Sequence, residues 1–320
     1  MTAGPTAPDT RANERTPAEP VFAQRAPMRR EIAPMIRRLL SLPAQAKRLA
    51  DRLTAAREYR RFLAEGQKPW TPGYHLHKQN SILAAATDAT WDPHRLPPRH
   101  GWRLDERIVE YPWFFRRLPE CAGALLDAGS ILNYAYILDN PKLTNKELTI
   151  CTLAPEGETF GGRPISYVYG DLRDTYFKND AFDWVVCLST LEHVGFDNTM
   201  LYTTDASKQE HDPTAHLDVV RELRRILRGG GKLYLSVPFG KSVNHGWFQV
   251  FDSEGIDRVI EAFSPGAQLE TVYQYLPDGW VVSDRGAAAD ALFFDIHKQN
   301  TYDHDYAAAS RAVVCLEMTK

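Results

Sequence analysis

The sequence predicts an α/β fold in which a mainly parallel sheet is covered by helices on both faces. Short apolar segments recur along the second half of the chain with turn residues between them, a pattern typical of buried strands. Residues 218–228 carry a helical apolar stripe and lead directly into the next apolar segment, as in repeated strand–helix–strand units. The predicted strands are 124–127, 148–153, 165–169, 184–188 and 232–237, with two final strands at 268–276 and 312–318.

The composition allows one large domain or two small ones. The chain has 320 residues, of which 43% are hydrophobic, so a substantial core is expected. No run approaches the roughly 18 apolar residues of a spanning helix, and the N-terminus lacks the apolar stretch of a signal peptide. A cytoplasmic protein is therefore expected. The cysteines are far apart in sequence, which favours buried thiols over disulfides or metal ligands: Cys121, Cys151, Cys187 and Cys315.

The net charge of −3 is unevenly distributed. Residues 28–66 hold ten Arg and Lys against four Asp and Glu, whereas residues 1–27 hold three of each kind. The body of the chain, 67–320, is therefore acidic. Phosphate binding depends on clustered cations, so this balance argues against a nucleic-acid-binding domain.

Two segments precede the predicted domain of 67–320. Residues 1–27 are rich in Pro, Thr and Ala with almost no large apolar side chains, which predicts a disordered tail. Residues 28–66 predict a basic amphipathic helical extension. Either it packs on the acidic body, or it contacts a partner protein or an anionic membrane surface, such as the inner membrane face. Its predicted apolar stripe consists of Ala46, Leu49, Leu53, Ala56 and Leu63.

Residues 67–120 contain many aromatic residues and prolines, which predicts an irregular N-terminal cover over a core of 121–320. Within the cover, residues 103–118 interleave charged and apolar side chains and predict a helix over the edge of a binding site. His75 and His77 have a spacing that could serve a metal from a strand. No Cys or acid lies near them in sequence, so they are expected to be surface or substrate-edge histidines.

The remaining elements are predicted from local signals. Residues 131–138 predict a helix or turn after the first strand. Residues 229–231 are three glycines, which are expected to stop the preceding helix. Asp252 or Ser253 is expected to cap a helix that runs to Phe263. Residues 277–311 are too many for a hairpin loop, so an insertion near the functional site is expected.

Five motifs in this order resemble those of the class I S-adenosylmethionine (SAM)-dependent methyltransferases. They are Leu-Leu-Asp-Ala-Gly from Leu125, Leu-Ala-Pro-Glu from Leu153, Gly-Asp-Leu-Arg-Asp from Gly170, Cys-Leu-Ser-Thr-Leu-Glu-His-Val-Gly from Cys187, and the segment 223–238 around the three glycines. The resemblance spans roughly residues 105–320. It implies a Rossmann-like sheet of seven strands with an antiparallel final pair, and SAM as the cofactor. Residues 189–198 are most similar to bacterial members that accompany polysaccharide and sugar-modification genes.

The resemblance places cofactor contacts after the first strand. Gly129 would let the backbone approach the cofactor, whose carboxylate could meet free N–H groups of the loop. Asp127 would orient the loop or receive the ammonium group of the cofactor through water. The family pattern of three glycines is incomplete here, because Ile131 and Asn133 stand where the second and third glycines are expected.

Further cofactor contacts are implied after the second and third strands. Thr152 stands where the family usually has an acid that binds the ribose hydroxyls, and Glu156 or Ser130 could supply that contact instead. Asp171 matches the acid that accepts a hydrogen bond from the adenine amino group, and the N–H of Leu172 would bind the ring. Asp171 could alternatively only cap a turn.

The residues after the fourth strand are the catalytic candidates. Ser189, Glu192 and His193 are expected at the mouth of the cleft, where the methyl group and the acceptor meet. His193 is the candidate general base, because an ordinary histidine pKa of about 6.5 suits proton removal near neutrality. Alternatively, Glu192 is the base, His193 only positions a helix, or the site mainly aligns the two reactants.

Other polar residues are candidates for the acceptor side of the cleft. They are Asp197, Asn198, Asn244, His245 and Trp247. Residues His211, Asp212 and His216 superficially resemble a metal cluster, but in a polar insertion they are expected to be solvated. No metal is expected.

These observations predict a cytoplasmic SAM-dependent methyltransferase that methylates an oxygen of a sugar-containing or other small-molecule acceptor, glycans included. The alternative is a non-catalytic methyltransferase-like scaffold or recruitment protein, which Thr152 and the missing glycines support. A nicotinamide-dependent oxidoreductase is disfavoured, because the complete Gly-x-Gly-x-x-Gly loop and the ribose acid are absent. Nothing in the sequence indicates the oligomeric state.

Overall fold

The computed structural model describes residues 51, 53–203 and 205–320, without the side chains of residues 296 and 297. The predicted tail, 1–27, and the predicted extension as far as residue 50 lie outside these residues. The chain forms two compact units, Met1–Thr54 and Ala55–Lys320. Residues 51, 53 and 54 of the first unit are helical. The second unit contains every strand found in the described residues.

The second unit begins with three helices, and the last two make the predicted cover, 67–120, more regular than expected. Helix α1 runs over residues 55–64, and α2 (Tyr74–Thr87) packs against α3 (Arg107–Arg117). The expectation was wrong for α2, because its alanine-rich second half favours a helix despite the surrounding prolines. His75 and His77 therefore lie on a helix. His75 is exposed and packs against Trp70, and His77 is half-buried beside Tyr59.

Helix α1 faces the core with a different stripe from the predicted one. Leu63 is 40% exposed, whereas Phe62 is buried with its ring edge-on to Tyr74. Helix α3 confirms the helix predicted within 103–118. It contains Pro112, whose missing N–H leaves the carbonyl of Ile108 available to the His100 ring at 3.2 Å.

The sheet has eight strands in the order β3-β2-β1-β4-β5-β10-β8-β9. Strands β1 to β5 pair in parallel, and β10, β8 and β9 are antiparallel. The bounds of these strands are β1 Gly123–Ala128, β2 Lys146–Thr152, β3 Ile165–Tyr169, β4 Phe182–Leu188, β5 Leu227–Pro238, β8 Ala267–Leu276, β9 Gly279–Ser283 and β10 Ala312–Thr319; a separate hairpin joins β6 Val243–Asn244 to β7 Gln249–Val250.

All seven predicted strands are present, and the eighth comes from the predicted insertion. Strand β9 turns back directly after β8 and pairs with it in a hairpin. It is anchored by Trp280, which is buried and donates its indole N–H to the carbonyl of Leu104 at 3.0 Å. The rest of the segment, 284–311, includes a short helix, α8 (Ile296–Gln299), and leads into β10.

Buried side chains form two clusters, one on each face of the sheet. Successive residues of a strand point to opposite faces, so Leu125 joins the cluster of α2 and α3, and Leu126 joins the cluster of α6 and α7. The predicted helical cover on both faces is thereby confirmed. The helices between and after the strands are α4 Ala135–Leu138, α5 Thr199–Tyr202, α6 His216–Ile226 and α7 Ser253–Phe263, with short 3-10 turns at Pro141–Leu143, Leu191–His193 and Ala206–Lys208.

The predicted cap of α7 and the predicted end of α6 had different outcomes. Asp252 caps α7, since its side chain accepts the N–H of Gly255 at 2.8 Å, and this prediction is confirmed. The glycines at 229–231 do not end α6. Helix α6 ends at Ile226, and the glycines lie inside β5, where Phe182 pairs with Leu227 but Trp184 pairs with Lys232. Glycines fit this position because the strand bulges there.

The cysteines and the helix lengths complete the description. Cys151, Cys187 and Cys315 are buried free thiols, as predicted, whereas Cys121 is exposed at the loop before β1. Within the part of the chain that the structure describes, no helix combines the length and the apolar character that crossing a bilayer requires.

Candidate active site

The loop after β1 is held by a buried carboxylate. Asp127 accepts the N–H groups of Ile131 at 3.0 Å and Leu132 at 2.7 Å, and it is fully buried. Burial raises the pKa of Asp127 to about 7, against the opposing effect of these two hydrogen bonds. Asp127 therefore orients the loop, which is one of its two predicted roles.

The backbone of the same loop is largely satisfied within the protein. The N–H of Gly129 donates to the carbonyl of Cys151 at 2.9 Å, and the N–H of Asn133 donates to the carbonyl of Ser130 at 3.3 Å. Together with the two N–H groups bound by Asp127, these donors are not free to meet a ligand carboxylate. The expectation of free loop N–H groups is wrong for these four residues.

Gly129 is required by a neighbouring side chain. Its φ is +114°, and a Cβ at this position would lie 2.3 Å from both Cγ2 and Oγ1 of Thr190. Thr190 follows β4, so the glycine allows the ends of the neighbouring strands β1 and β4 to approach. A side chain at position 129 would therefore clash with Thr190 whether or not a ligand is bound.

Three predicted cofactor residues meet at the end of β2. Glu156 accepts a hydrogen bond from the hydroxyl of Ser130 at 2.9 Å and another from the hydroxyl of Thr152 at 3.1 Å. Ser130 and Thr152 are buried, while Glu156 is exposed. A carboxylate is thus held beside the β2 position where the family usually has one, although it comes from four residues further along the chain.

Asp171 lies after β3 and is engaged by Arg173. Its Oδ1 accepts the backbone N–H of Arg173 at 2.8 Å, so Asp171 caps a turn, and both carboxylate oxygens receive the guanidinium. Arg173 also binds Glu210 at 2.6 and 2.9 Å. Burial raises the pKa of Asp171, but the hydrogen bonds from Arg173 outweigh it, so the pKa lies below its usual value. Leu172, between them, is buried.

The end of β4 rests on a buried charged network that the sequence did not predict as part of the site. Ser189, with φ +39°, donates its hydroxyl to Glu110 of α3 at 2.6 Å, and Ser236 of β5 donates to the same oxygen at 2.7 Å. Arg107 donates to the other oxygen of Glu110 at 2.8 Å. The signal that could have revealed it is an acid, Glu110, inside the apolar run of α3.

Glu192 and His193 lie in the 3-10 turn after β4. Glu192 is 4% exposed, and its Oε2 has no hydrogen-bond partner among the described residues. Burial holds the pKa of Glu192 well above its usual range, with Arg107 acting in the opposite direction. The Nε2 of His193 lies 3.9 Å from Oε1 of Glu192.

The tautomer and charge of His193 follow from its surroundings. Its Nδ1 lies 3.1 Å from the carbonyl of Trp247, which can only accept, so Nδ1 carries the hydrogen and Nε2 the lone pair. Burial lowers the pKa of His193 to about 4, against the effect of that carbonyl. The expected ordinary pKa is therefore wrong: the ring is neutral at neutral pH and is a weak base.

These residues surround one cavity of about 270 Å³ at the C-terminal ends of the parallel strands, here called the strand-end cavity. Ligands bind at this edge in open α/β sheets. Its opposite wall is formed by α5 and by residues up to Glu210. The predicted residues that line it are Gly129, Thr152, Asp171, Leu172, Ser189 and His193, whereas Asp127, Ser130, Glu156 and Glu192 support this lining from behind or beside it.

The predicted acceptor-side residues divide between two places. Asn198 lines the strand-end cavity, and its Oδ1 is buried without a partner among the described residues. Asp197, Asn244, His245 and Trp247 line a second cavity beside it. Sequence positions 197 and 244–247 are therefore brought together by the fold.

Of the three residues that resemble a metal cluster, His211 and Asp212 are exposed as expected, whereas His216 is buried. His216 is 3% exposed, packs edge-on to Phe251, and lies with its Nδ1 2.9 Å from the carbonyl of Pro213. Asp212 instead accepts the N–H and the hydroxyl of Thr214. The expectation of solvation was wrong for His216 because it starts α6 at the protein core.

Comparisons with known proteins agree with the motifs. Residues 143–235 match the family described as "Methyltransferase domain". No curated protein sequence matches the chain significantly. Among solved structures, the chain is similar to the Burkholderia thailandensis 1,6-didemethyltoxoflavin-N1-methyltransferase, which was solved with S-adenosylhomocysteine, at 15% identity over 62% of this chain and 72% of that one, with a TM-score of 0.38.

A SAM-dependent methyltransferase from Methanosarcina mazei is similar at 13% identity over 65% of this chain and 97% of that one, with a TM-score of 0.39. Similarities of this size carry no functional assignment by themselves. The family match lies within the strands and loops that build the strand-end cavity, from the end of the first 3-10 turn to β5. The match over residues 143–235 agrees with the predicted enzyme class.

Proposed function

We propose that this chain is a SAM-dependent methyltransferase that methylates an oxygen of a sugar-containing or other small-molecule acceptor. The observation that carries the proposal is the strand-end cavity, which gathers Thr152, Asp171, Ser189 and His193 from three different strand ends. The family match over 143–235 includes all four of these residues.

The residues present fit SAM by their chemistry. Gly170 lines the cavity, and an added Cβ there would meet nothing within 4 Å, so this side has room for a ligand. The pair of Thr152 and Glu156 offers hydroxyl and carboxylate groups for ribose hydroxyls, and Asp171 offers a carboxylate for the adenine amino group. The buried Oδ1 of Asn198, which has no hydrogen-bond partner among the residues that the structure describes, is a further acceptor at the cavity.

When bound, SAM supplies a methyl group activated by its sulfonium, so that an O–CH₃ bond forms as the S–CH₃ bond breaks and the acceptor hydroxyl loses its proton. The protein then needs chiefly to align the two reactants. His193 contributes by accepting the hydrogen bond of the hydroxyl at Nε2, which its Nδ1 contact leaves available. Because its pKa is about 4, His193 orients the hydroxyl and receives the proton only as the transfer proceeds.

A second candidate function is a scaffold that no longer binds the cofactor in the usual way. The observation that favours it is the loop after β1, where the backbone N–H groups of Ile131 and Leu132 donate hydrogen bonds to Asp127. Titration calorimetry with S-adenosylhomocysteine separates the two functions. Micromolar to millimolar binding supports the enzyme, whereas the absence of binding at millimolar ligand would contradict it.

The basic segment 28–66 is a proposed contact of the full chain with a partner or with an anionic membrane surface. Its excess of Arg and Lys is the support for this. Co-sedimentation of the full chain with vesicles that contain anionic lipid tests the membrane contact. No sedimentation at low salt would rule out the membrane contact and leave a partner protein or packing on the acidic body as the explanations.

A further inference from the structure

A second cavity lies directly beside the strand-end cavity. It has a volume of about 660 Å³, within the usual range for small-molecule sites, and is here called the aromatic cavity. Phe196 lines both cavities, and Asp197 of the aromatic cavity is the neighbour of Asn198 of the strand-end cavity. A ligand in the aromatic cavity would therefore be next to a ligand bound at the strand ends.

The wall between the two cavities contains the catalytic candidate. The ring of His193, which lines the strand-end cavity, lies with its centroid 4.9 Å from that of Trp247, which lines the aromatic cavity. The carbonyl of Trp247 also holds the Nδ1 of His193. The residue that would orient an acceptor hydroxyl is thus fixed by a residue of the aromatic cavity.

The aromatic rings of this cavity are held firmly from behind. His245 stacks on the buried ring of Phe248 with a centroid distance of 4.5 Å and an angle of 4°, and Trp247 meets Phe248 edge-on at 4.8 Å. Phe293, from the segment before α8, closes on Phe248 at 4.6 Å. Rigid ring faces of this kind bind a flat apolar surface with little loss of conformational entropy.

Polar groups of the cavity are held by hydrogen bonds, and its two acids and one lysine carry a net charge of −1. The carboxylate of Asp197 is oriented by the hydroxyl of Thr199 at 2.6 Å and the amide of Gln209 at 2.9 Å. Asp295 supplies a second acid, and Lys298 a cation whose Nζ donates to the carbonyl of His245 at 2.8 Å. Burial lowers the pKa of His245, so this ring adds no charge at neutral pH.

We infer that the aromatic cavity is the acceptor site and that it takes a neutral, polyhydroxylated ring such as a pyranose. This inference rests on the proposed function. The C–H face of such a ring packs on Trp247, and its hydroxyls donate to the carboxylates of Asp197 and Asp295. A strongly anionic acceptor would meet two carboxylates, and a polycation would meet Lys298. A neutral polyol can pack on the aromatic ring faces and donate hydrogen bonds to the oriented carboxylates.

The test is saturation-transfer difference NMR on the full chain with S-adenosylhomocysteine present. The probes are the methyl glycosides of glucose, galactose, mannose and rhamnose at millimolar concentration, with spermidine and 4-hydroxybenzoate as other chemical classes. We expect transfer to the C–H protons of at least one glycoside. Trp247→Ala should weaken that binding by about tenfold or more, as expected for removing a central aromatic anchor.

Tyr176→Ala is the matched control, since Tyr176 is 94% exposed and far from these contacts in sequence, and it should leave glycoside binding unchanged. Asp197→Asn is a second variant that retains the ring faces, and it should also weaken the glycoside signal. Calorimetry with S-adenosylhomocysteine on each variant shows whether the fold and the strand-end cavity are intact.

The outcomes separate the two proposals. If the wild-type chain binds S-adenosylhomocysteine but no glycoside, or binds glycosides equally with and without Trp247, the inference is overturned while the proposed function stands. If only 4-hydroxybenzoate or spermidine gives a Trp247-dependent signal, the ligand class is wrong. If S-adenosylhomocysteine does not bind at all, the proposed function itself fails.

Discussion

The contact between Gly129 and Thr190 gives the sharpest prediction. In Gly129→Ala, the new methyl group would lie 2.3 Å from two atoms of Thr190, and alanine would have to adopt φ +114°. The unfavourable backbone conformation costs about 1–3 kcal/mol. The overlap costs about another 1–3 kcal/mol, because a packed neighbour must move. The lower entropy of the unfolded chain offsets up to about 1 kcal/mol of this loss.

The net expectation is a loss of about 1–6 kcal/mol in the free energy of unfolding, measured by urea denaturation. A double-mutant cycle divides the loss into its two parts. Thr190→Ala removes the two atoms at 2.3 Å and leaves its Cβ at 2.8 Å. In that background, Gly129→Ala should cost about 1–3 kcal/mol less than in the wild type, and the backbone cost should remain.

Gly161→Ala is the matched control, because an added Cβ there meets nothing within 4 Å. It should change the free energy of unfolding by less than about 1 kcal/mol. The reasoning is refuted if Gly129→Ala is no more destabilising than this control. It is also refuted if the two substitutions at 129 and 190 are additive, since the contact would then contribute nothing.

Three further predictions concern charged groups. Asp171→Asn should weaken the binding of S-adenosylhomocysteine by about 1–3 kcal/mol in calorimetry, and unchanged affinity would remove the adenine assignment. The fall of kcat/KM on the acid side of its pH profile should lie near pH 4 instead of 6.5, because burial lowers the pKa of His193 to about 4. A fall near pH 6.5 in the wild type that disappears in His193→Asn would contradict this. Burial raises the pKa of Asp127 from 3.8 to about 7 in the folded protein. The protonated Asp127 therefore contributes fully to the free energy of unfolding below its pKa in the unfolded chain, and this contribution is lost as the pH rises to about 7. Urea denaturation should therefore show wild type losing stability relative to Asp127→Asn between about pH 4 and pH 7, and a constant difference would rule out the raised pKa.

Apolar segments predicted seven of the eight strands, and the limits of the pattern are visible in single elements. Strand β3 lies at the predicted residues, Ile165–Tyr169, although it is an edge strand whose side chains are only partly buried or exposed. The prediction that the glycines at 229–231 end α6 was wrong, because glycine is found both at helix ends and at strand bulges. Which of the two occurs depends on the pairing with β4, and that is a tertiary contact.

Six of the predicted site residues line the strand-end cavity, but the contacts that hold them in place were not predictable from the sequence. The motifs indicated Ser189, Glu192 and His193, yet the acid beneath them, Glu110, comes from α3, 79 residues before Ser189 in the sequence. A charged residue in an apolar helix carries no signal of which strand end it will meet. The lowered pKa of His193 is likewise a result of burial that only the packing of Trp247 and Phe248 creates.

Because the loop after β1 has few free N–H groups, the binding energy for a nucleoside ligand must come mainly from other parts of the site. Asp127 occupies the N–H groups of Ile131 and Leu132, and Thr190 occupies the space over Gly129. The backbone of this loop thus offers few free donors, although Gly129 itself lines the strand-end cavity. Under the proposed function, recognition falls chiefly on side chains: Glu156 with its two hydroxyl donors and Asp171 with Arg173. Such a site depends on oriented carboxylates: the hydroxyls of Ser130 and Thr152 hold Glu156, and Arg173 holds Asp171.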